Sequence, residues 1–262
     1  MFEIETQKYS KANLERLAFY YEKSKKEKTK MIRNEKVLDD INALLDYDSI
    51  KDYLYMNVIN ADENKSELSQ VPHTIVGDLA IIYRVMIQTT EEQFCSAKVT
   101  NQMMDVYGID VNKLHNDALI SSPRIMKPEV LPLETLAIGT PKEIALLETD
   151  RQMVVITNEH RTDGASTMFY AGVLNDLATK LNHSLYIIPS STDECIAVCD
   201  SLNLNHEHLE NMLHEVNNSS LVDPDKKLSD HLYHYDKDAR ILEKADDYEK
   251  RMYKEKYSQL LH

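Results

Sequence analysis

Two short polar stretches of this 262-residue chain combine side chains that could perform acid–base chemistry or bind a ligand. The first is TNEHRTDG (157–164), which follows an apolar strand-like run, and the second is SSTDE (190–194), which follows a proline. Histidine and carboxylates are common general acids and bases, and binding residues are often found on loops. The candidate binding residues are Asn158, Glu159, His160, Asp163, Ser190, Ser191 and Glu194.

A structural role accounts for both stretches as well. Thr162 or Asp163 could cap the helix that follows the first stretch. Ser190, Ser191 and Asp193 are typical of a tight turn, because each side chain can bond its own backbone. A nucleophile elbow runs from a strand into a helix with glycines beside the serine, whereas SSTDE lies between two strand-like runs. We interpret SSTDE as a hairpin tip, and the two loops form one site only if their strands are neighbours.

Three further segments contain metal-ligand residue types without a complete ligand set. In CIAVC, Cys195 and Cys199 share a strand face but have no third ligand nearby, so we expect buried thiols. In HEHLENMLH, His208 and His214 are six residues apart and lie on different helix faces, unlike a zinc pair at i and i+4. The segment DHLYHYDKD has four polar residues that we expect to face outward: Asp230, His231, His234 and Asp236. We predict no metal and no cofactor, and the chain has no Walker, GxGxxG or GxSxG motif.

Composition limits the classes of partner. The formal net charge of −14 makes nucleic-acid binding by the acidic body unlikely, since a phosphate backbone selects lysine and arginine. One basic segment, Lys23–Lys36, stands apart from this acidic background and could contact an acidic partner or form a solvated helix face. The sequence contains neither a membrane-spanning run nor a signal peptide, and its three cysteines lack zinc-finger spacing. We therefore expect a cytoplasmic protein with free thiols and no membrane contact.

Periodicity predicts the elements that would position these residues. We expect helices up to about residue 59, ending with the segment DYDSIKDYLYMNVI (46–59), and strands over 77–88 and 93–100. Asp110 should cap a helix, and prolines 123, 128, 132 and 141 indicate an irregular connection. The residue pattern predicts a strand over 152–157 and a helix over 165–182. Hairpins are expected at SLYIIP/ECIAV and HLYHYD/RILE, with a helix at NHEHLENMLHEVNN and a charged helix or tail at 243–262.

The predicted fold class is α+β, with an antiparallel or mixed sheet packed with helices and preceded by a helical N-terminal region. We expect a basic helical region over 1–60, an α+β domain over 61–242 and the C-terminal helix or tail over 243–262. VTNQMMDVYG (99–108) and ITNEHRTDGA (156–165) both place Thr-Asn, a polar turn and glycine after a strand. Either chance or a duplicated β-β-α unit explains this similarity.

Four separated blocks carry a resemblance to a known family. They are INADENKSELSQVPHTIVGDLAIIYRVMI, VTNQMMDVYGIDVNKLHNDALISSPRI, ITNEHRTDGASTMFYAGVLNDLATKLNHSLYIIPSSTDECIAV and EVNNSSLVDPDKKLSDHLYHYDKDARIL. In this order they resemble the bacterial domain-of-unknown-function family numbered 5688, over roughly residues 57–242. The resemblance implies a cytoplasmic bacterial protein and no known activity. It places Ser190, Ser191 and Glu194 in the family pattern but not Cys195, and it suggests that the first 50 residues are a lineage-specific attachment.

Our leading hypothesis is a non-enzymatic protein–protein interaction module, connected with a mobile element or host defence. It rests on the acidic body, the basic N-terminal arm and the absence of catalytic motifs. One alternative is an enzyme or small-molecule-binding protein that uses loops 158–163 and 190–194. A second is an acidic mimic of nucleic acid. The sequence does not determine the oligomeric state.

Overall fold

A computed structural model describes residues 35–36, 41–89, 94–133, 153–202, 206–217 and 223–260. The predicted N-terminal helices over 6–34, together with most of the basic segment, lie outside these residues. The pair Glu35–Lys36 forms a short strand, β1, where we predicted a helix. Within the described ranges, no helix is long and apolar enough to cross a bilayer.

The long strand β4 organises the first sheet, because every other strand of that sheet pairs with it in antiparallel fashion. The remaining strands are β1, β2 (Leu54–Asn60), β3 (His73–Val76) and β5 (Phe94–Lys98), and β4 spans Leu79–Thr89. The predicted pair of strands over 77–88 and 93–100 is confirmed by β4 and β5. The prediction of a helix over 46–59 is wrong in its second half, which forms β2. A helix α1 covers only Tyr47–Ile50, and β2 is almost wholly buried.

Three helices accompany the first sheet, and two of them begin at side-chain caps. The helix α2 is the single turn Lys65–Leu68, α3 spans Asn101–Tyr107 and α4 spans Val111–Ile125. Thr100 Oγ1 accepts from the Met103 N–H at 3.2 Å, and Asp110 Oδ1 accepts from the Lys113 N–H at 2.8 Å, which confirms the predicted Asp110 cap. The polar turn that we predicted after Thr100 is wrong, because this cap and the residues after it form α3.

The helix α4 covers the free edge of β2. Its buried stripe contains Leu114 and Ala118 and continues into two serines, at helical spacing. Ser121 Oγ donates to the Leu54 carbonyl at 2.6 Å, and Ser122 Oγ accepts from the Met56 N–H at 3.0 Å. These bonds satisfy backbone groups that an edge strand would otherwise leave without partners.

The second sheet is also antiparallel, in the strand order β11-β10-β8-β9-β7-β6. Its strands are β6 (Pro128–Pro132), β7 (Val154–Asn158), β8 (Leu185–Ile188), β9 (Cys195–Cys199), β10 (Tyr233–Asp236) and β11 (Ile241–Lys244). Both predicted hairpins, β8–β9 and β10–β11, are confirmed. The two antiparallel sheets with their helices confirm the α+β class.

The proline-marked connection is more regular than we predicted. Pro123 lies in the last turn of α4, where the missing N–H removes only one bond from the helix end. Pro128 and Pro132 lie at the two ends of β6, which is an edge strand and tolerates a missing donor. Residue 141 lies outside the described residues.

Three helices accompany the second sheet: α5 (Val173–Leu181), α6 (His206–Asn217) and α7 (Ala245–Leu260). The predicted continuous helix over 165–182 is interrupted. A 3-10 helix covers Gly164–Phe169, and Tyr170, with extended backbone at ψ 140°, separates it from α5. The predicted helix over NHEHLENMLHEVNN is confirmed by α6, which buries Leu209 and Leu213. Of the two alternatives for residues 243–262, a charged helix or a tail, the structure shows the helix, which begins at Ala245 after the end of β11.

The two sheets meet at the buried carboxylate of Asp78, which lies in the turn between β3 and β4. The Tyr233 hydroxyl of β10 lies 2.7 Å from Asp78 Oδ1 and accepts from the Asp78 N–H at 3.1 Å. Ser229 Oγ donates to Asp78 Oδ2 at 2.7 Å, and Lys244 Nζ lies 3.4 Å from Oδ1. Gly77, with φ +63°, permits the turn, since a Cβ there would overlap the Tyr233 hydroxyl.

Replacing Tyr233 with phenylalanine should destabilise the protein by about 2 kcal/mol, because it removes a hydrogen bond to a buried carboxylate. Urea denaturation measures the change. Tyr235→Phe is the matched control: it lies on the same strand, and no hydrogen bond of its hydroxyl occurs among the described residues. We expect this control to lose less than about 0.5 kcal/mol. Equal losses of stability in the two variants would contradict a stabilising role for the hydrogen bond between Tyr233 and the Asp78 carboxylate.

The cysteines differ in burial. Cys195 and Cys199 are buried in β9, as predicted, whereas Cys95 is exposed, and none of the three forms a disulfide. Burial, with a smaller contribution from the Glu194 carboxylate, raises the pKa of the Cys195 thiol well above its ordinary value. A thiol held protonated in the core is a poor nucleophile.

We therefore expect a chromogenic disulfide reagent to label one thiol of the folded protein rapidly and all three in denaturant. A Cys95→Ser variant should lose the rapid phase completely while keeping the other two thiols. Rapid labelling of that variant under native conditions would show that β9 opens readily.

Candidate functional site

The two polar loops predicted from sequence converge in the structure. The first loop follows the end of β7 and the second leads into the start of β9, and these two ends lie side by side because β7 and β9 pair in antiparallel fashion. Thr157 Oγ1 donates to the Asp193 carbonyl at 2.8 Å, and the Asp163 N–H donates to Asp193 Oδ1 at 3.2 Å. The Ala165 N–H donates to the Thr192 carbonyl at 3.1 Å. We call residues 157–166 together with 190–194 the loop junction.

Local hydrogen bonds shape the first loop of the junction. Asn158 is fully buried at the end of β7, and its side chain accepts from the His160 N–H at 3.0 Å and donates to the Thr162 carbonyl at 2.7 Å. Arg161 and Asp163 have left-handed backbone conformations, with φ 51° and 55°. Such conformations cost free energy and persist only where the surrounding contacts fix them. The loop is therefore held in one conformation by its own polar groups.

The second loop is more buried than a hairpin tip usually is. Ser190, Ser191 and Glu194 are 5%, 0% and 4% exposed, and Ser191 Oγ accepts from the Asp193 N–H at 3.2 Å. The backbone of Ser191 forms a bridge to Lys227, and Lys226 Nζ lies 2.6 Å from Asp193 Oδ2. The hairpin itself is confirmed, but segment 226–227 covers its connection.

The Tyr55 hydroxyl of the first sheet lies in the electric field of the Asp163 carboxylate. Burial first, and then the negative charge of Asp163, raise the pKa of the Tyr55 hydroxyl on β2. That hydroxyl donates to Ser96 Oγ at 2.9 Å and accepts from Arg84 Nε at 3.0 Å. Sequence analysis missed Tyr55 and Arg84, since both lie in apolar strand segments and only strand pairing brings them together.

The junction thus gathers the seven predicted site residues into one region but uses many of their polar atoms for contacts within the protein. Side chains of Asn158 and Ser191 bond backbone of their own loops, and His160 is only 12% exposed at its side chain. Such an arrangement fixes two loops against each other. It provides rigid geometry without requiring a ligand.

The DHLYHYDKD segment differs from its prediction as well. His234, which we expected to face outward, is fully buried, and its ring stacks on Tyr248 of α7 at a centroid distance of 3.6 Å. Asp236 bonds Arg251 at 2.8 Å, and Asp230 bonds Lys227 at 2.5 Å. Asp230 and Asp236 therefore have cationic partners, and the helix α7 covers the strand face that we expected to be solvated.

The second half of α7 extends away from this contact. Each side chain described from Met252 to Ser258 is exposed, and those of Met252, Tyr253 and Tyr257 are 40%, 71% and 56% exposed. The two tyrosine rings lie one helical turn apart, with centroids 6.3 Å apart and planes inclined by 18°. We call residues 252–258 the helix tip. In the sequence it was visible only as part of a charged amphipathic tail.

Comparison with known proteins identifies the family. Residues 5–237 match the sequence family described as Family of unknown function (DUF5688). The chain belongs to this family. No curated protein and no solved structure matches the chain.

The extent of the DUF5688 match corrects one expectation and confirms another. The expected family is confirmed, but the N-terminal region is not a lineage-specific attachment, because the match begins at residue 5. The match ends at residue 237, before β11 and α7. The loop junction is thus part of the region that the family shares, whereas the helix tip lies beyond it.

Gly164 provides a test of how tightly the loop junction is packed. A Cβ on this residue would overlap Thr157 Oγ1 of the first loop and the Asp193 carbonyl of the second loop. We expect Gly164→Ala to cost about 3 kcal/mol of stability, because backbone must move to accept the methyl group. In the control Gly108→Ala the Cβ would meet nothing within 4 Å, so only the left-handed φ of 64° opposes it, at about 1–2 kcal/mol. Chemical denaturation measures the free energy of unfolding of both variants. A smaller loss of stability in Gly164→Ala than in Gly108→Ala would contradict close packing of the loop junction.

Proposed function

We propose that this protein is a non-enzymatic, cytoplasmic protein–protein interaction module of bacteria, and that the helix tip of α7 is its contact element. The proposed mode of binding is insertion of the helix into an apolar groove of a protein partner, with Tyr253 and Tyr257 as anchors. Helices that bind in this way place large side chains at i and i+4 on one face. Tyrosine is also among the residues that contribute most to binding energy at protein interfaces.

The observation that carries the proposal is the combined exposure of Met252, Tyr253 and Tyr257 on a helix end with exposed neighbours. Large side chains scattered singly over a surface need no explanation, but here two tyrosine rings lie side by side, with centroids 6.3 Å apart, and Met252 directly precedes the first of them in the chain. A short helical segment without tertiary packing is also marginally stable in water. A partner that covers the tip would bury the tyrosines and stabilise the last turns.

The base of α7 is well anchored and would present the tip in a fixed direction. Ala245 is buried, and Tyr248 stacks on His234. Arg251 bonds Asp236 and Glu243, each at 2.8 Å, and its guanidinium lies 5.4 Å from the Tyr248 ring centroid. A helix held at its base loses little orientational freedom on binding, which favours affinity.

The charge of the tip suggests the chemistry of the partner. Lys254 and Lys256 outnumber Glu255 in the helix tip, which gives a local charge of about +1 on a chain whose net charge is −14. The single acidic side chain of the tip, Glu255, lies 3.3 Å from Arg251 Nη1 at the base, so the two lysines dominate the charge that the tip presents. We therefore propose a groove that is apolar at its centre and acidic at its rim.

Site-specific photo-crosslinking in the native host tests the proposal. A photoreactive phenylalanine analogue at position 253 or 257 should give one discrete adduct with another protein. The same analogue at Glu255, about 160–200° around the helix from the tyrosines, is the matched control and should crosslink at least about fivefold less. A discrete adduct that disappears in high salt would support the acidic rim.

Other outcomes would contradict the proposal. The absence of an adduct at both tyrosines would mean that the tip is solvated, and equal adducts from the Glu255 control would mean non-specific contact. A protein captured only from positions on the acidic body would favour the nucleic-acid mimic instead. Identification of the adduct by mass spectrometry would also test the suggested connection with mobile elements or defence.

A further inference from the structure

We propose that His206, Glu210 and Asp246 bind a divalent first-row transition-metal ion, such as zinc, which links α6 to the base of α7. His206 and Glu210 lie one turn apart at the start of α6, and Asp246 lies in the first turn of α7. No motif in the sequence joins these residues, because Asp246 is remote from the other two. The site differs from the histidine pair of HEHLENMLH, which is not at ligand spacing.

The geometry suits a small cation. His206 Nε2 lies 3.2 Å from Glu210 Oε1 and 3.7 Å from Asp246 Oδ1, and the three ligand atoms lie within 4.8 Å of one another. Two ligands of a tetrahedral zinc ion, each bonded at about 2.0–2.2 Å, are separated by about 3.4 Å. The two separations from His206 Nε2 are within about 0.3 Å of this value, whereas the Glu210 and Asp246 oxygens would approach each other by at most about 1.4 Å. Rotation of these two partly exposed side chains would bring all three atoms onto one ion.

The hydrogen bonding of His206 is an independent observation in favour of a metal. Its Nδ1 lies 3.0 Å from Glu249 Oε1, a bond that places the ring proton on Nδ1 in the neutral imidazole. Its Nε2 is buried and has no hydrogen-bond partner of acceptable geometry, although it points toward two carboxylates. A metal-binding histidine is usually held in this way, with one nitrogen on the metal and the other donating to a carboxylate.

The ligand types restrict the class of ion. One imidazole nitrogen and two carboxylate oxygens suit zinc, manganese, cobalt or iron in the divalent state. Magnesium and calcium prefer sites made entirely of oxygen ligands. Three protein ligands would leave at least one coordination position for water. The side chains of Glu210 and Asp246 are 29% and 57% exposed, which leaves the ion a path from solvent.

Binding of the ion would fix α7 relative to α6 at the point where α7 leaves the sheet. The Arg251 and Tyr248 contacts hold the helix on the side of β10, and the metal would hold it on the side of α6. This inference does not depend on a partner for the helix tip.

Titration of metal-free protein with Zn²⁺, Mn²⁺ and Co²⁺, each alone, tests the proposal by calorimetry and, for Co²⁺, by its visible absorption. We expect one equivalent to bind with a dissociation constant below about 10 µM for Zn²⁺. His206→Asn, Glu210→Gln and Asp246→Asn should each weaken binding at least about tenfold, and Glu249→Gln should also weaken it, by about tenfold. The two carboxylate-to-amide changes preserve shape and keep the test valid if His206→Asn fails to fold.

Two control variants separate this site from adventitious binding. His208→Asn removes an exposed histidine of the same helix, and Asp247→Asn removes an exposed carboxylate next to Asp246. Both should bind Zn²⁺ as the wild type does. Binding that is unchanged in Glu210→Gln and Asp246→Asn, binding lost equally in the controls, or the absence of a stoichiometric site would each overturn the proposal.

Discussion

The arrangement of the two sheets depends on the hydrogen bonds and the ion pair made by the buried carboxylate of Asp78. It lies in the turn of a hairpin of the first sheet, and its partners Tyr233, Ser229 and Lys244 come from the second half of the chain. A buried charge is tolerated only when it is paired and hydrogen-bonded, so the carboxylate fixes all three partners at once. The nearby bond from Asn60 Nδ2 to the Leu228 carbonyl, at 3.0 Å, adds a second polar connection between the same regions.

The loop junction shows how candidate catalytic residues can be used structurally. The buried side chains of Thr157, Asn158 and Ser191 are bonded across and within the loops, which is the general requirement for polar atoms removed from water. Left-handed residues and Gly164 allow the close approach of the two loops. The junction lies within the range, residues 5–237, that matches the DUF5688 family.

The helix α7 has a packed base that fixes its direction and an exposed tip that is available for contact. The base is fixed by stacking on His234 and by the ion pairs of Arg251, while the tip contributes apolar and cationic side chains to the surface. Burial opposes ionisation of Asp236, but two backbone N–H groups and the Arg251 guanidinium outweigh it and hold its pKa below the usual value. The Asp236–Arg251 pair therefore contributes stability that is present at neutral pH and is lost only as the pH falls through the lowered pKa.

Sequence alone determined the class of the fold, the family, both hairpins, the Asp110 cap and the amphipathic helix α6, and it left the C-terminal segment as either a helix or a tail. Each depends on local periodicity, on capping or turn chemistry, or on motifs that are contiguous in the chain. Tertiary structure decided the rest. The segment 54–60 is a strand because it pairs with β4 along its whole length. Two prolines are tolerated in β6 because it is an edge strand, whose outer side needs no hydrogen-bond donors. The convergence of the two loops, the burial of His234 and the grouping of His206 with Asp246 depend on pairing between distant segments, which no local pattern encodes.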